Sequence, residues 1–255
     1  MILLKKVASV VMASTLFLGL SVSSTVASTN TQSVSESASI YQDNDIESTF
    51  EKMNDIASNT KEIKDSQRIQ DIKNMSKDAV SNEKVVFNYS NASLDFDNAK
   101  FLDISQNNMN YTSITIPIVG DQYNFISNLT LIFDSQNKVM NYSESLITKS
   151  EDNKFVITSY IDGELVQSKV TDLDYKSNSE LKKGLENIKQ ARGAKKIATC
   201  IAAVAGVDIA VAYLIAGTCT VSCPAVPPIC AACIAAVATM GAGSIAGVIA
   251  CFNLK

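Results

Sequence analysis

Histidine and tryptophan are absent from the 255 residues, proline occurs only four times, and no cysteine precedes Cys200. Without histidine the chain lacks the commonest general base and the commonest metal ligand. Ser–His and Cys–His nucleophile pairs are thereby excluded. No glycine-rich phosphate loop occurs, and the carboxylates scatter over predicted helix faces and turns, where solvation is their ordinary role. The formal net charge is −4 and no basic stripe interleaved with aromatics exists, so nucleic acid is not an expected partner. The expectation is a protein that is not an enzyme and carries no cofactor and no metal.

Charge is missing just as selectively. From Ile197 to Lys255 only Asp208 and Lys255 are charged, and all six cysteines (Cys200, Cys219, Cys223, Cys230, Cys233 and Cys251) fall in this segment. Setting these two residues aside together with Lys5 and Lys6 leaves 19 basic and 25 acidic residues in the rest of the chain. The chain thus divides into an acidic, cysteine-free part and an apolar, cysteine-rich tail.

The first residues read as a secretory signal. Lys5 and Lys6 precede an uncharged apolar run, Val7 to Val22, and small residues follow up to a cleavage position at Ala27 or Ser28. An uncleaved membrane anchor is the alternative reading. Export by signal peptidase predicts a secreted, extracellular product in an oxidising setting, where disulfides form. Residues 28–42 are a polar low-complexity stretch expected to be a disordered linker.

Residues 43–192 are expected to fold as an acidic α+β domain, an antiparallel meander with flanking helices. Ile46, Phe50, Met53 and Ala57 recur at helical spacing behind an Asn44/Glu47 capping pattern, and Ile69, Ile72 and Val80 mark a second amphipathic helix. Ile114, Ile116 and Ile118 alternate with Ser113, Thr115 and Pro117, and Leu129, Leu131 and Phe133 alternate likewise. Segments 155–161 and 165–170 flank Asp162-Gly163, a tight-hairpin signal. Ser177 to Glu180 opens a helix carrying Leu181, Leu185 and Ile188.

Gln190 to Lys196 holds a basic cluster, Arg192, Lys195 and Lys196, where the composition changes. This is the expected cut for a processing protease; a simple linker or helix C-terminus is the alternative. Beyond it, residues 197–255 contain two apolar runs, Ile197–Gly217 and Ile229–Phe252, each longer than 20 residues. Pro224, Pro227 and Pro228 break any helix between them. The simplest geometry is a small, disulfide-rich, all-α helical hairpin. Six cysteines permit fifteen pairings; a hairpin suits the nested set Cys200–Cys251, Cys219–Cys233 and Cys223–Cys230, while Cys-x3-Cys with Cys-x2-Cys leaves zinc ligation as another use. Either run is long enough to span a bilayer. Gly243 and Gly247 form a Gly-x-x-x-Gly spacing that packs helices closely, in lipid or in a soluble hairpin.

The stretch Cys219-Thr-Val-Ser-Cys223 with the later Ile229-Cys230-Ala-Ala-Cys233, set in Ala/Gly/Ile-rich flanks, resembles the halocin C8-like bacteriocin domain over about Thr199 to Phe252. That resemblance implies a secreted precursor of an antimicrobial peptide whose partner is the membrane of competing microbes. The acidic domain would then mask the peptide or protect the producer. A membrane-anchored surface or immunity protein, keeping its C-terminal hairpin in the producer's membrane, is the rival expectation.

Overall fold

A computed structural model describes residues 53, 56–82, 84–182, 196–219, 223, 227–240 and 244–252, all within a compact unit spanning Ser37–Lys255. Ala27, the 28–42 linker, the Asn44/Glu47 cap, Leu185, Ile188, Arg192, Lys195 and Gly243 lie outside the described residues.

The described chain forms strands β1 (Thr60–Glu62), β2 (Ser93–Leu94), β3 (Lys100–Gln106), β4 (Met109–Val119), β5 (Asn128–Phe133), β6 (Val139–Lys149), β7 (Lys154–Ile161) and β8 (Glu164–Asp174). Helices are α1 (Ser66–Ser81), α2 (Asn178–Lys182), α3 (Lys196–Ala205), α4 (Ile209–Cys219), α5 (Pro227–Thr239) and α6 (Ile245–Phe252). The strands make one antiparallel sheet in the order β1-β3-β4-β5-β6-β7-β8, with β2 added to β4. The expected α+β meander is therefore present, and so are C-terminal helices with three disulfides.

The abundant asparagines make this meander possible. Asn107 and Asn108 (φ 51° and 61°), Asn137 (60°), Asn153 (57°) and Asp162 (50°) hold the left-handed backbone at successive hairpin tips, with Gly163 at 84°. Asn and Asp tolerate this region because their short side chains bond locally to the backbone. The Asp162-Gly163 turn is the expected one, with both residues at positive φ. Ser177 and Glu180 form a reciprocal capping box: Ser177 N–H donates to Glu180 Oε2 (2.7 Å) and Glu180 N–H to Ser177 Oγ (3.4 Å).

Cross-strand partners share a face of the sheet. One face carries Ile114, Ile116, Ile118, Leu129, Leu131 and Phe133, which pack against Ile72 and Ala79 of α1. Asp65 caps α1 by accepting the Arg68 N–H (2.7 Å), and the Arg68 guanidinium donates to Asp103 Oδ2 (2.7 Å) and to Thr112 Oγ1 (3.1 Å) on the sheet. Alternation in β4 suggests one buried face only, yet Ser113 and Thr115 are as buried as the isoleucines beside them. The C-terminal helices cover that second face.

Two strands escape the period-two reading. In β3, Asp103 interrupts the apolar pattern because it receives Arg68. In β6, Ser143, Glu144 and Ser145 are all buried. Glu144 is 1 % exposed and accepts the N–H groups of Asn88 (2.9 Å) and Tyr89 (2.8 Å), holding the 85–90 segment over the α1 face. Burial outweighs these bonds and pushes its carboxyl above the ordinary range. Its folded value is thus raised, so its contribution to stability is present below the usual carboxylate pKa and falls away as pH rises through the raised one. Glu144→Ala would leave two partly exposed amide donors without their acceptor. It should cost about 2 kcal/mol in urea unfolding, and Glu144→Gln, which keeps one acceptor oxygen, about half that.

Candidate functional site

The second sheet face and the stapled helices on it form the candidate site. The tail is helical and disulfide-stapled as expected, and among the described residues each apolar arm carries two helices, α3 and α4 in the first and α5 and α6 in the second. In the first arm Gly206 takes φ 68°, ending α3 in the left-handed conformation that suits glycine. Asp208 then restarts the chain as α4, accepting the Ala210 N–H on Oδ1 (2.8 Å). The two halves bend by 115°. In the second arm Ser244 caps α6, accepting the Gly247 N–H on Oγ (3.1 Å). Among the described residues no single helix is long and apolar enough to cross a membrane, although the bent pair α3–α4 passes that test by length and composition.

Three bridges close the bundle in the nested order. Cys200–Cys251 joins α3 to α6 (Cα–Cα 5.5 Å), Cys219–Cys233 joins α4 to α5 (5.8 Å), and Cys223–Cys230 links the ends of the proline-containing segment (4.6 Å). These separations suit unforced bridging. All six sulfurs are bonded in pairs, which leaves no thiolate to ligate zinc. Three disulfides accord with an extracellular, oxidising setting. Lys196, the last residue of the basic cluster, is the first residue of α3.

Gly247 sits at the α3–α6 contact. A Cβ there would lie 2.6 Å from Val204 Cγ1 and 3.1 Å from Ser244 Oγ, so this glycine serves close packing inside the stapled bundle. Gly247→Ala gains helix propensity but crowds a β-branched side chain that has little rotamer freedom. Overpacking wins: the variant should lose about 1 kcal/mol in urea unfolding of the oxidised chain, where an open helix position would gain stability.

The cradle under the bundle is unusual in its chemistry. Thr115 pairs with Thr130 and Thr130 with Ser143; Asn128 pairs with Ser145 and Ser145 with Ser159. All are buried. The Thr115 and Thr130 hydroxyls bond each other (2.7 Å), Thr130 donates to Asn128 Oδ1 (3.2 Å), and Asn128 Nδ2 donates to the Ile126 carbonyl (2.9 Å). The buried Ser113 and Ser159 hydroxyls have no protein partner. Apolar residues flank this polar band. Leu102, Ile104, Tyr111 and Ile132 meet Ile229, Ala231, Ala232 and Ala235 of α5 and Ile245 of α6. Ile126, Ile147, Phe155 and Ile157 join the bundle's own core around Cys219, Cys230, Cys233 and Cys251.

Asp208, the one acid of the tail, is 2 % exposed. Its Oδ2 accepts from Lys176 Nζ (2.7 Å), and its N–H donates to the Leu181 carbonyl (2.8 Å). Both partners belong to the chain before the basic junction. Asp208 therefore ties the tail to the residues before the basic junction. The one available signal was the coincidence of a lone acid with a Gly206-Val-Asp break. Family models, curated proteins and solved structures were each compared with the chain, and none matches it.

Proposed function

We propose that this chain is the precursor of a secreted bacteriocin. In this reading the signal segment directs export and is removed after Ala27. Bridges form outside the membrane, and a protease cuts between Arg192 and Lys196. The stapled bundle, residues 197–255, then leaves the sheet and disturbs the membranes of competing microbes. The resemblance of the Cys219–Cys233 region to halocin C8-like peptides supports it, and so does the uncharged, cysteine-rich tail.

The observation that carries the proposal is the cradle. A permanent core would be lined by large aliphatics, as the α1 face is. Between flanking aliphatics, the bundle rests over a polar band of Ser113, Thr115, Asn128, Thr130, Ser143 and Ser145 that the α1 face lacks. Hydroxyls returned to water recover hydrogen bonds, whereas each leucine or isoleucine returned to water costs about 1.5–3 kcal/mol. Departure of the bundle is thus cheap for this band, and its cost on the sheet side is confined to the flanking aliphatics such as Leu102, Ile104, Ile132, Ile147, Phe155 and Ile157. On the bundle side it bares Ile229, Ala231, Ala232, Ala235 and Ile245 together, an apolar surface suited to lipid. The acidic domain masks that surface until release.

The test is growth inhibition and dye leakage from cells of related strains. The peptide used is released from the oxidised full-length chain by cleavage at the basic junction. Killing with leakage is the expected outcome; neither, across many strains, would sink the proposal. The apolar α3–α4 pair favours one rival, a surface or immunity protein whose hairpin stays in the producer's membrane. Fractionation separates the two: a full-length membrane-bound product supports the rival, and a small peptide in the medium supports the bacteriocin.

A further inference from the structure

We infer that the N-terminal sheet has a second task, as the template that selects the tail's disulfide pairing. Helix α5 is apolar on every side, from Ile229 to Val237, and buried throughout. Such a helix has no polar face to fix its rotation about its own axis. The sheet supplies that rotation. Ile229, Ala231, Ala232 and Ala235 lie against Leu102, Ile104, Tyr111 and Ile132. At 100° per residue, Cys230 and Cys233 then point to the opposite side, into the bundle core with Ile234 and Val237. There Cys230 meets Cys223 and Cys233 meets Cys219.

Helix α6 repeats the arrangement. Ile245 packs on the sheet cluster, with Ile249 against it one turn later. Val248 and Cys251 face the bundle core, where Cys251 meets Cys200 of α3. A turn of either helix by one residue would swing its cysteine off its partner by about 100°. The start of α4 is fixed in the same way, through the Lys176–Asp208 pair. Sheet contacts thus bear on the rotation of the helices that carry Cys230, Cys233 and Cys251, alongside helix-to-helix contacts such as that of Gly247 with Val204.

The chemistry is thiol–disulfide exchange with a low-molecular-weight disulfide as oxidant. For each bridge, two cysteine thiols are oxidised to one S–S bond and one R–S–S–R is reduced to two R–SH, which carry away both protons. The sheet takes no part in electron transfer; it decides which thiols meet. This holds whether or not the tail is later released, so it stands or falls separately from the bacteriocin reading.

Leu131 offers the test. It is fully buried on the α1 face of the sheet, within the cluster that excludes the bundle. Full-length wild type and Leu131→Ala are reduced in denaturant, then oxidised with a mixture of oxidised and reduced glutathione across a urea series. Strand circular dichroism reports the sheet, and mass mapping reports the pairing. Leu131→Ala should lower the urea midpoint of the sheet. The nested set should fall at the same, lowered midpoint, from the dominant species toward the statistical one in fifteen, roughly a tenfold loss. If the variant does not fold even without urea, scrambled pairing is expected at every urea concentration. A nested fraction that keeps the wild-type midpoint, or persists where the sheet is unfolded, overturns the inference.

Discussion

Replacing Cys200 and Cys251 by alanine should cost the oxidised chain about 4 kcal/mol, the largest loss expected from removing any one bridge. Its ends are 51 residues apart, against 14 and 7 for the other two. In the chain-entropy account the stabilisation grows with the logarithm of the closed loop, giving about 4 kcal/mol for the long bridge and about 2 for Cys223–Cys230. Location reinforces length. This bridge ties α3 to α6, the first and last helices of the tail, and the Gly247–Val204 contact depends on the same pair. Urea unfolding of the two double-alanine variants should therefore rank C200A/C251A well below C223A/C230A. Equal midpoints would show that the bridges do not work through loop closure.

Lys176→Met should cost about 3 kcal/mol. The lysine is partly exposed, but the carboxylate that it meets is not, and removing one partner of an ion pair with a buried member is strongly destabilising. Asp208 would keep the Ala210 N–H and its place as the helix cap. Changing Asp208 to Asn in the same chain removes the charge while retaining an acceptor for the cap, so the double variant should recover about 2 kcal/mol relative to Lys176→Met alone. A double-mutant cycle read from urea midpoints checks this, and strictly additive losses would contradict a direct pair. The pair also bears on release, because Lys176 lies before the basic junction and Asp208 after it. On the proposed release, the departing peptide would leave Lys176 behind.

Much of this architecture is legible in the chain, for definite physical reasons. Helix α1 shows itself through Ile69, Ile72 and Val80 because one stripe of it is buried and the rest is solvated. The last hairpin shows itself because Asp162-Gly163 fits the left-handed turn that few other pairs tolerate. The nested bridges agree with the pairing that a proline-broken hairpin favours. Strands β3 and β6 stayed hidden because Asp103, Ser143, Glu144 and Ser145 have partners or cover supplied from elsewhere in the chain, which no local period reveals. The same holds for the breaks in the tail. Gly206 amid alanines looks like one more small residue, and only the Asp208 cap and the Lys176 counter-ion, 32 residues away, show why the helix turns there. The seating of the tail on the sheet was the least legible feature. Ser113, Thr115 and Thr130 alternate with the apolar residues of β4 and β5 as a solvated face would, and they are buried because an uncharged bundle lies on them.

The proposed release of the tail is checked by intact-mass measurement of the culture medium of producing cells. A peptide beginning between Arg192 and Ile197 and containing all six cysteines is the expected product. Its mass should lie six hydrogens below that of the fully reduced form, one pair for each bridge. A product found only at full length and held with the cells would contradict that release.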